Sequence, residues 1–198
     1  MKLVLASDNA HKLGEFRELF RSLDVELLSK KETGFTLEVE ETGATFEENA
    51  FIKAQAVMLA TGLPAIADDS GLCVDALGGD PGVRSARYTG SHSDSDADRF
   101  ALVLKNLGER QDRSARFVCA LCCVFPDGNI LRARGECEGE ILFAPQGDNG
   151  FGYDPIFRPS GFDCSMAELT MDEKNAISHR GRALENFRKE WEKTYADK

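Results

Sequence analysis

Asp68-Asp69-Ser70-Gly71 follows directly on the apolar run Ala65-Ile66-Ala67. Two adjacent carboxylates where a strand leaves the core repel each other unless a cation or hydrogen bonds compensate. In an open α/β sheet the carboxyl ends of strands are where ligands bind. Magnesium suits such a place, because it takes oxygen from one or two carboxylates and from substrate phosphate. Glu40-Glu41 is a second acidic pair that could complete a metal site if the fold brings it near. The same tetrapeptide also fits a turn with solvated acids.

Three further segments carry usable groups. Ser7-Asp8-Asn9-Ala10-His11-Lys12 lies between an apolar run and a helical pattern. Unpaired backbone N–H groups at a helix start form an anion site, to which Ser7, Asn9 and Lys12 add donors. The spacing is not that of a Walker loop, and a capped helix with a solvated lysine would look alike. In Gly150-Phe151-Gly152-Tyr153-Asp154-Pro155, glycines around an aromatic let backbone approach a flat ligand that the ring can stack on. A plain loop is the competing interpretation. Lys174 with Ser178-His179-Arg180 gathers three donors around the start of the last helix, as a solvated helix terminus also would.

The elements that must position these groups follow from periodicity. Residues 2–7 form a strand-like run, and Leu13, Phe16, Leu19, Phe20 and Leu23 mark one face of a helix. Val25 to Leu28 returns as a strand. Thr45-Phe46-Glu47-Glu48 is a capping box opening a helix that carries Phe46, Ala50, Lys53, Ala54 and Val57 and stops at Gly62-Leu63-Pro64. A polar loop runs from Gly78 to about Ser95, and Asp96 to Leu107 gives another helix. Residues 115–125 and 130–143 flank the hairpin signal Pro126-Asp127-Gly128-Asn129. Thr170-Met171-Asp172-Glu173 is a second capping box, and Ser178 can cap the helix with Leu184, Phe187 and Trp191. There is no internal repeat and no linker, so residues 1–198 are expected to form a single domain of the α/β class.

The totals narrow the ligand. With 24 Lys plus Arg against 34 Asp plus Glu, a net charge of −10 disfavours nucleic acid, whose affinity rests on phosphate neutralisation. A few local cations can still hold a small phosphorylated molecule. No run approaches the length of a membrane helix and the N-terminus is too short for a signal peptide, so the expectation is a cytoplasmic protein. Cys119, Cys122 and Cys123 fall in a strand-like run with no second ligand pair for zinc, and are expected to be small buried hydrophobes.

Taken in order, these segments resemble the inosine triphosphate pyrophosphatase family, the dITP/XTP pyrophosphatases, from Leu5 to about Leu184. The resemblance is carried by Glu40-Glu41-Thr42-Gly43 with Thr45-Phe46 and Glu48-Asn49-Ala50, by Ala67-Asp68-Asp69-Ser70-Gly71-Leu72, and by Pro81-Gly82 with Ser85-Ala86-Arg87-Tyr88. Gly150 to Phe157, Ala167-Glu168-Leu169 and Lys174 to Arg180 complete it. It implies hydrolysis of ITP, dITP and XTP to monophosphate and pyrophosphate. It also implies Mg²⁺, a homodimer, and an elongated mixed twisted sheet with flanking helices in two lobes around a central cleft. Asp8 stands where the family often has glycine, so its acid is expected to point away from the phosphates.

The resemblance also assigns roles. Ser7, Asn9, Lys12 and Lys53 would cradle the triphosphate, within a binding set that includes Asp8, Ala10, His11 and Ser70. Glu41 and Asp69 would hold Mg²⁺, with Asp69 the proton acceptor. Phe151, Gly152, Tyr153 and Asp154 would line the base pocket, with Phe151 stacking. Lys174, His179 and Arg180 would donate to the 6-carbonyl of hypoxanthine or xanthine, which adenine lacks. Two alternatives stand beside this expectation: a phosphatase or pyrophosphatase of other nucleotides, and a non-catalytic nucleotide sensor.

Overall fold

A computed structural model describes residues 1–7, 10–21, 25–91 and 93–195. Strand and helix alternate up to β4, and two further strands and two helices follow: β1 (Lys2–Leu5), α1 (Ala10–Arg21), β2 (Glu26–Ser29), α2 (Phe46–Thr61), β3 (Ala65–Val74), α3 (Asp96–Leu107), β4 (Ser114–Val124), β5 (Ile130–Ile141), β6 (Phe157–Pro159), α4 (Met171–Ile177) and α5 (His179–Tyr195). The strands form one mixed sheet in the order β2-β1-β3-β4-β5-β6. β1 is parallel to both β2 and β3, in register at Leu3 with Leu27 and Leu5 with Ile66, whereas β6 lies antiparallel to β5. The parallel pairs need helical crossovers, which α1 and α2 supply. β4 and β5 are joined by a hairpin turn in which Gly128, at φ +88°, donates its N–H to the Phe125 carbonyl.

The chain divides into two compact units. The first comprises residues 1–69, 120–134 and 183–198, and the second residues 70–119 and 135–182. In the first unit α1 buries Phe16 and Phe20, as their four-residue spacing requires, and Phe20 meets Phe187 and Trp191 edge-on at 6.0 and 5.6 Å. α2 lays Ala50 and Ala54 against Ala67, Cys122 and Val124. These small side chains let its backbone approach the sheet closely. In the second unit Leu72, Val103, Phe117, Ile141, Tyr153 and Phe157 belong to one core. Buried Arg113 donates to the carbonyls of Gly108, Ile141 and Leu142, tying the end of α3 to the exit of β5.

Helix starts behave as the sequence dictates. Capping boxes close at Thr45 with Glu48, Ser95 with Asp98 and Thr170 with Glu173, and Ser178 accepts the Gly181 N–H. Cys119, Cys122 and Cys123 are free and buried, and burial pushes the Cys122 thiol up to about 11. One expectation changes. Asp68 and Asp69 do not mark the end of a strand, since β3 runs without a break from Ala65 to Val74 with both in its middle. They are 2% and 7% exposed, which rules out a turn with solvated acids.

Candidate active site

Two carboxylates can sit in mid-strand only if each finds a cation. Successive side chains of a strand face opposite ways, and each acid meets a lysine from a different helix. Lys12 of α1 places its ammonium 3.0 and 2.8 Å from the two oxygens of Asp68. Lys53 of α2 lies 3.3 Å from Asp69 Oδ1 and also donates to Glu41 Oε1 at 2.6 Å. Glu41 comes from the loop before α2, so the acid pair expected to cooperate across 28 positions does converge, on one ammonium. The second oxygen of Asp69 accepts from the Asn49 amide at 3.1 Å.

The electrostatics follow from this geometry. Burial pushes the Asp69 carboxyl above the ordinary 3.8, Lys53 pulls it back, and Glu41 raises it again. Burial would lower Lys53, but the charges of Asp69, Asp68 and Glu41 outweigh it and hold the ammonium above 10.5. The site therefore gathers three acids and two lysines around the middle of β3, where acid–base work and phosphate neutralisation are both possible. Ser70 follows in the same strand, half-buried, and Ser7 lies half-buried beyond the end of β1. Asp8 and Asn9 lie outside the described residues, and for Ala10 and His11 only their place in the first turn of α1 is described.

Among the described residues no three His, Cys, Asp or Glu side chains form a ready-made metal cage. Mg²⁺ does not require one, because it takes one or two carboxylates and fills its shell with water and phosphate. Glu41 and Asp69 fit that pattern. They are hard oxygen donors, and they already share a cation in the Lys53 ammonium.

A second cluster lies in the second unit. The Lys174 ammonium is 2.5 Å from Asp154 Oδ2, with both side chains nearly buried. That carboxylate also accepts the Phe151 N–H at 2.8 Å. Burial raises the Asp154 carboxyl above 3.8 against the pull of Lys174 and Arg180. The Phe151 ring is 52% exposed, with Lys174 Nζ 4.5 Å and the Arg180 guanidinium 5.7 Å from its centre. An exposed ring with two cations over it and a carboxylate nearby can offer its remaining surface to a flat ligand. Phe151, Gly150 and Gly152 also border an open cavity of about 470 Å³ reaching Asp96 and Phe100.

The backbone here packs tightly against its acidic neighbours. Gly150 has φ +81°, and a Cβ there would fall 2.2 Å from Asp154 Oδ2. Gly152 donates its N–H to Asp96 at 2.6 Å. Tyr153 is 4% exposed and its hydroxyl donates to the Ser85 carbonyl at 2.7 Å, so its side chain belongs to the core and leaves only backbone for a ligand. His179 stacks on Phe117 with ring centres 4.9 Å apart. Of the expected base-reading residues, the structure thus brings together Phe151, Asp154, Lys174 and Arg180, and seats His179 on Phe117. Asp96 and Asn49 were not foreseen as site residues. A buried asparagine within the alanine-rich face of α2 was the one local clue to the latter.

A mixed α/β fold with a lysine-compensated carboxylate cluster fits a hydrolase acting on a phosphorylated small molecule. The Ham1 family model matches residues 3–190, and the chain belongs to that family. It is 50% identical over 192 residues to the dITP/XTP pyrophosphatase of Synechococcus sp. strain CC9311, covering 96% of this chain and 90% of that protein. With the dITP/XTP pyrophosphatase of Lactiplantibacillus plantarum it shares 48% identity over 196 residues, 98% and 96% of the two chains. Its fold matches the Staphylococcus aureus Ham1 protein with a TM-score of 0.93 at 41% identity, covering 98% of this chain and all of the other.

Proposed function

We propose that this protein hydrolyses the non-standard purine nucleoside triphosphates ITP, dITP and XTP to monophosphate and pyrophosphate, clearing them from the nucleotide pool. The observation that carries this reading is the Lys53 ammonium held between Glu41 and Asp69, next to the Lys12–Asp68 pair. Relatives named dITP/XTP pyrophosphatase at about half identity support the same substrate class.

Release of pyrophosphate requires water to attack the α-phosphorus while negative charge grows on the departing oxygen. Lys12 and Lys53 supply positive charge for the phosphates, and exchanging a carboxylate partner for a phosphate oxygen keeps each ammonium paired. Asp69 accepts the proton of the attacking water. Glu41 and Asp69 would hold Mg²⁺, which when bound polarises phosphoryl oxygens and acidifies water.

Phe151 stacks on the base. Lys174 keeps donors beyond the one given to Asp154, and with Arg180 it favours a 6-carbonyl over the 6-amino group of adenine. We assign residues 1–198 to one catalytic domain acting in the cytoplasm as a homodimer. No helix among the described residues is long and apolar enough to cross a membrane. The test is pyrophosphate release from ITP with Asp69→Asn: turnover near the wild-type rate in the presence of Mg²⁺ excludes the assigned proton acceptor.

A further inference from the structure

Asn49 is fully buried in the first turns of α2, and both ends of its amide are engaged. Nδ2 donates to Asp69 Oδ2 at 3.1 Å, and Oδ1 accepts the Gly43 N–H at 2.8 Å. Only one orientation of the amide satisfies both bonds, since the reverse would face oxygen against carboxylate and N–H against N–H. The helix start does not need this residue. Thr45 and Glu48 already close the capping box, and Gly43 lies ahead of the cap. Nor does packing call for it, because the other buried residues of α2, Phe46, Ala50, Ala54 and Val57, are all apolar. A buried polar side chain in such company is destabilising unless it is hydrogen-bonded, and here both bonds go to the site loop and to Asp69.

What they hold is the carboxylate pair around Lys53. Glu41 lies two residues before Gly43, on a loop without regular structure. The loop passes so close to α2 that a Cβ on Gly43 would sit 2.7 Å from Asn49 Oδ1 and 2.7 Å from Glu48 Cβ. We propose that Asn49 is a positioning residue: its amide locks Asp69 and the Glu41-Thr42-Gly43 segment into one arrangement, so that both carboxylates address a single cation. This rests on the reading of Glu41 and Asp69 as cation ligands.

The test uses Asn49→Ala, which removes both bonds, and Gly43→Ala, which leaves the amide in place but forces the loop away from it. Mn²⁺ alone is titrated into each full-length protein by calorimetry, and the Mg²⁺ concentration giving half-maximal pyrophosphate release from ITP is measured alongside. Both variants are expected to bind Mn²⁺ about 10- to 100-fold more weakly, the usual effect of removing a partner behind a metal ligand. The half-maximal Mg²⁺ concentration should rise by a similar factor. Variants that melt earlier yet keep wild-type Mn²⁺ affinity would reduce Asn49 to a structural role and overturn the proposal. Weakened Mn²⁺ binding in a protein whose wild type releases no pyrophosphate from any nucleotide would sink the functional reading while leaving the positioning role standing. A wild type that does not bind Mn²⁺ overturns the positioning proposal, while pyrophosphate release from ITP still decides the functional reading.

Discussion

Replacing Lys53 with methionine keeps most of the buried alkyl stem while deleting the ammonium that Glu41 and Asp69 share. The two bonds, at 2.6 and 3.3 Å, join side chains only 14%, 25% and 10% exposed. Removing one partner of a buried ion pair typically destabilises by about 3–5 kcal/mol. Because Glu41 keeps some water, the lower figure, about 3 kcal/mol, is expected at pH 7. The sign follows from linkage. The folded-state pKa of Lys53 lies above 10.5, so while its carboxylate partners are ionised its contribution is complete below 10.5 and fades as pH climbs through the raised value. In a thermal melt the loss corresponds to roughly 6–12 °C for a chain of this size. The abandoned carboxylates should then recruit another cation. At Mg²⁺ concentrations a hundredfold above the dissociation constant, linkage returns about 2.7 kcal/mol. Urea unfolding of wild type and Lys53→Met, with and without Mg²⁺, measures both effects. A loss of less than about 1 kcal/mol, or a variant that Mg²⁺ stabilises no more than the wild type, would refute the shared-ammonium role of Lys53.

Lys174→Met should lower the preference for ITP over ATP, as a ratio of kcat/KM, by about tenfold or more, one charge-assisted contact being worth roughly 1–3 kcal/mol of discrimination; an unchanged ratio would contradict the donor role. The same variant removes the largest downward pull on Asp154, whose carboxyl burial already holds above 3.8. Folded protein then binds that proton more tightly than unfolded chain, so stability must fall as pH rises from 3.8 through the raised pKa, and more steeply than in the wild type. Urea midpoints at pH 4 and 7 check this, and parallel pH dependence in the two proteins would speak against it. Tyr153→Phe strands the buried Ser85 carbonyl and should lower stability by about 1–3 kcal/mol in the same assay. Gly150→Ala should raise KM for ITP several-fold, since its methyl collides with the Asp154 carboxylate; an unaltered KM would show that the loop around Phe151 tolerates displacement.

Local signals were legible in the sequence wherever a few adjacent residues settle the outcome. The capping boxes at Thr45 and Thr170, the Phe16–Phe20 face and the Pro126–Asn129 hairpin all appear where their spacing puts them. The course of β3 did not, because the strand survives two mid-sheet carboxylates only through lysines 56 and 16 positions away. The glycines on either side of Phe151 announce a loop and an accessible ring, but nothing local tells that the next aromatic, Tyr153, turns into the core to donate to the Ser85 carbonyl. Glu41 and Asp69 were paired by family resemblance, and the shared Lys53 supplies the physical cause. The Asn49 bonds, which span 6 and 20 positions, depend on how closely the Gly43 loop skirts α2, and no spacing rule encodes that approach.

Pyrophosphate release tests the central claim most directly, measured across ITP, dITP, XTP, ATP and GTP with and without Mg²⁺. The structure predicts Mg²⁺-dependent pyrophosphate from ITP, dITP and XTP and far slower release from ATP. Orthophosphate as the released product, or ATP turned over as fast as ITP, would contradict it.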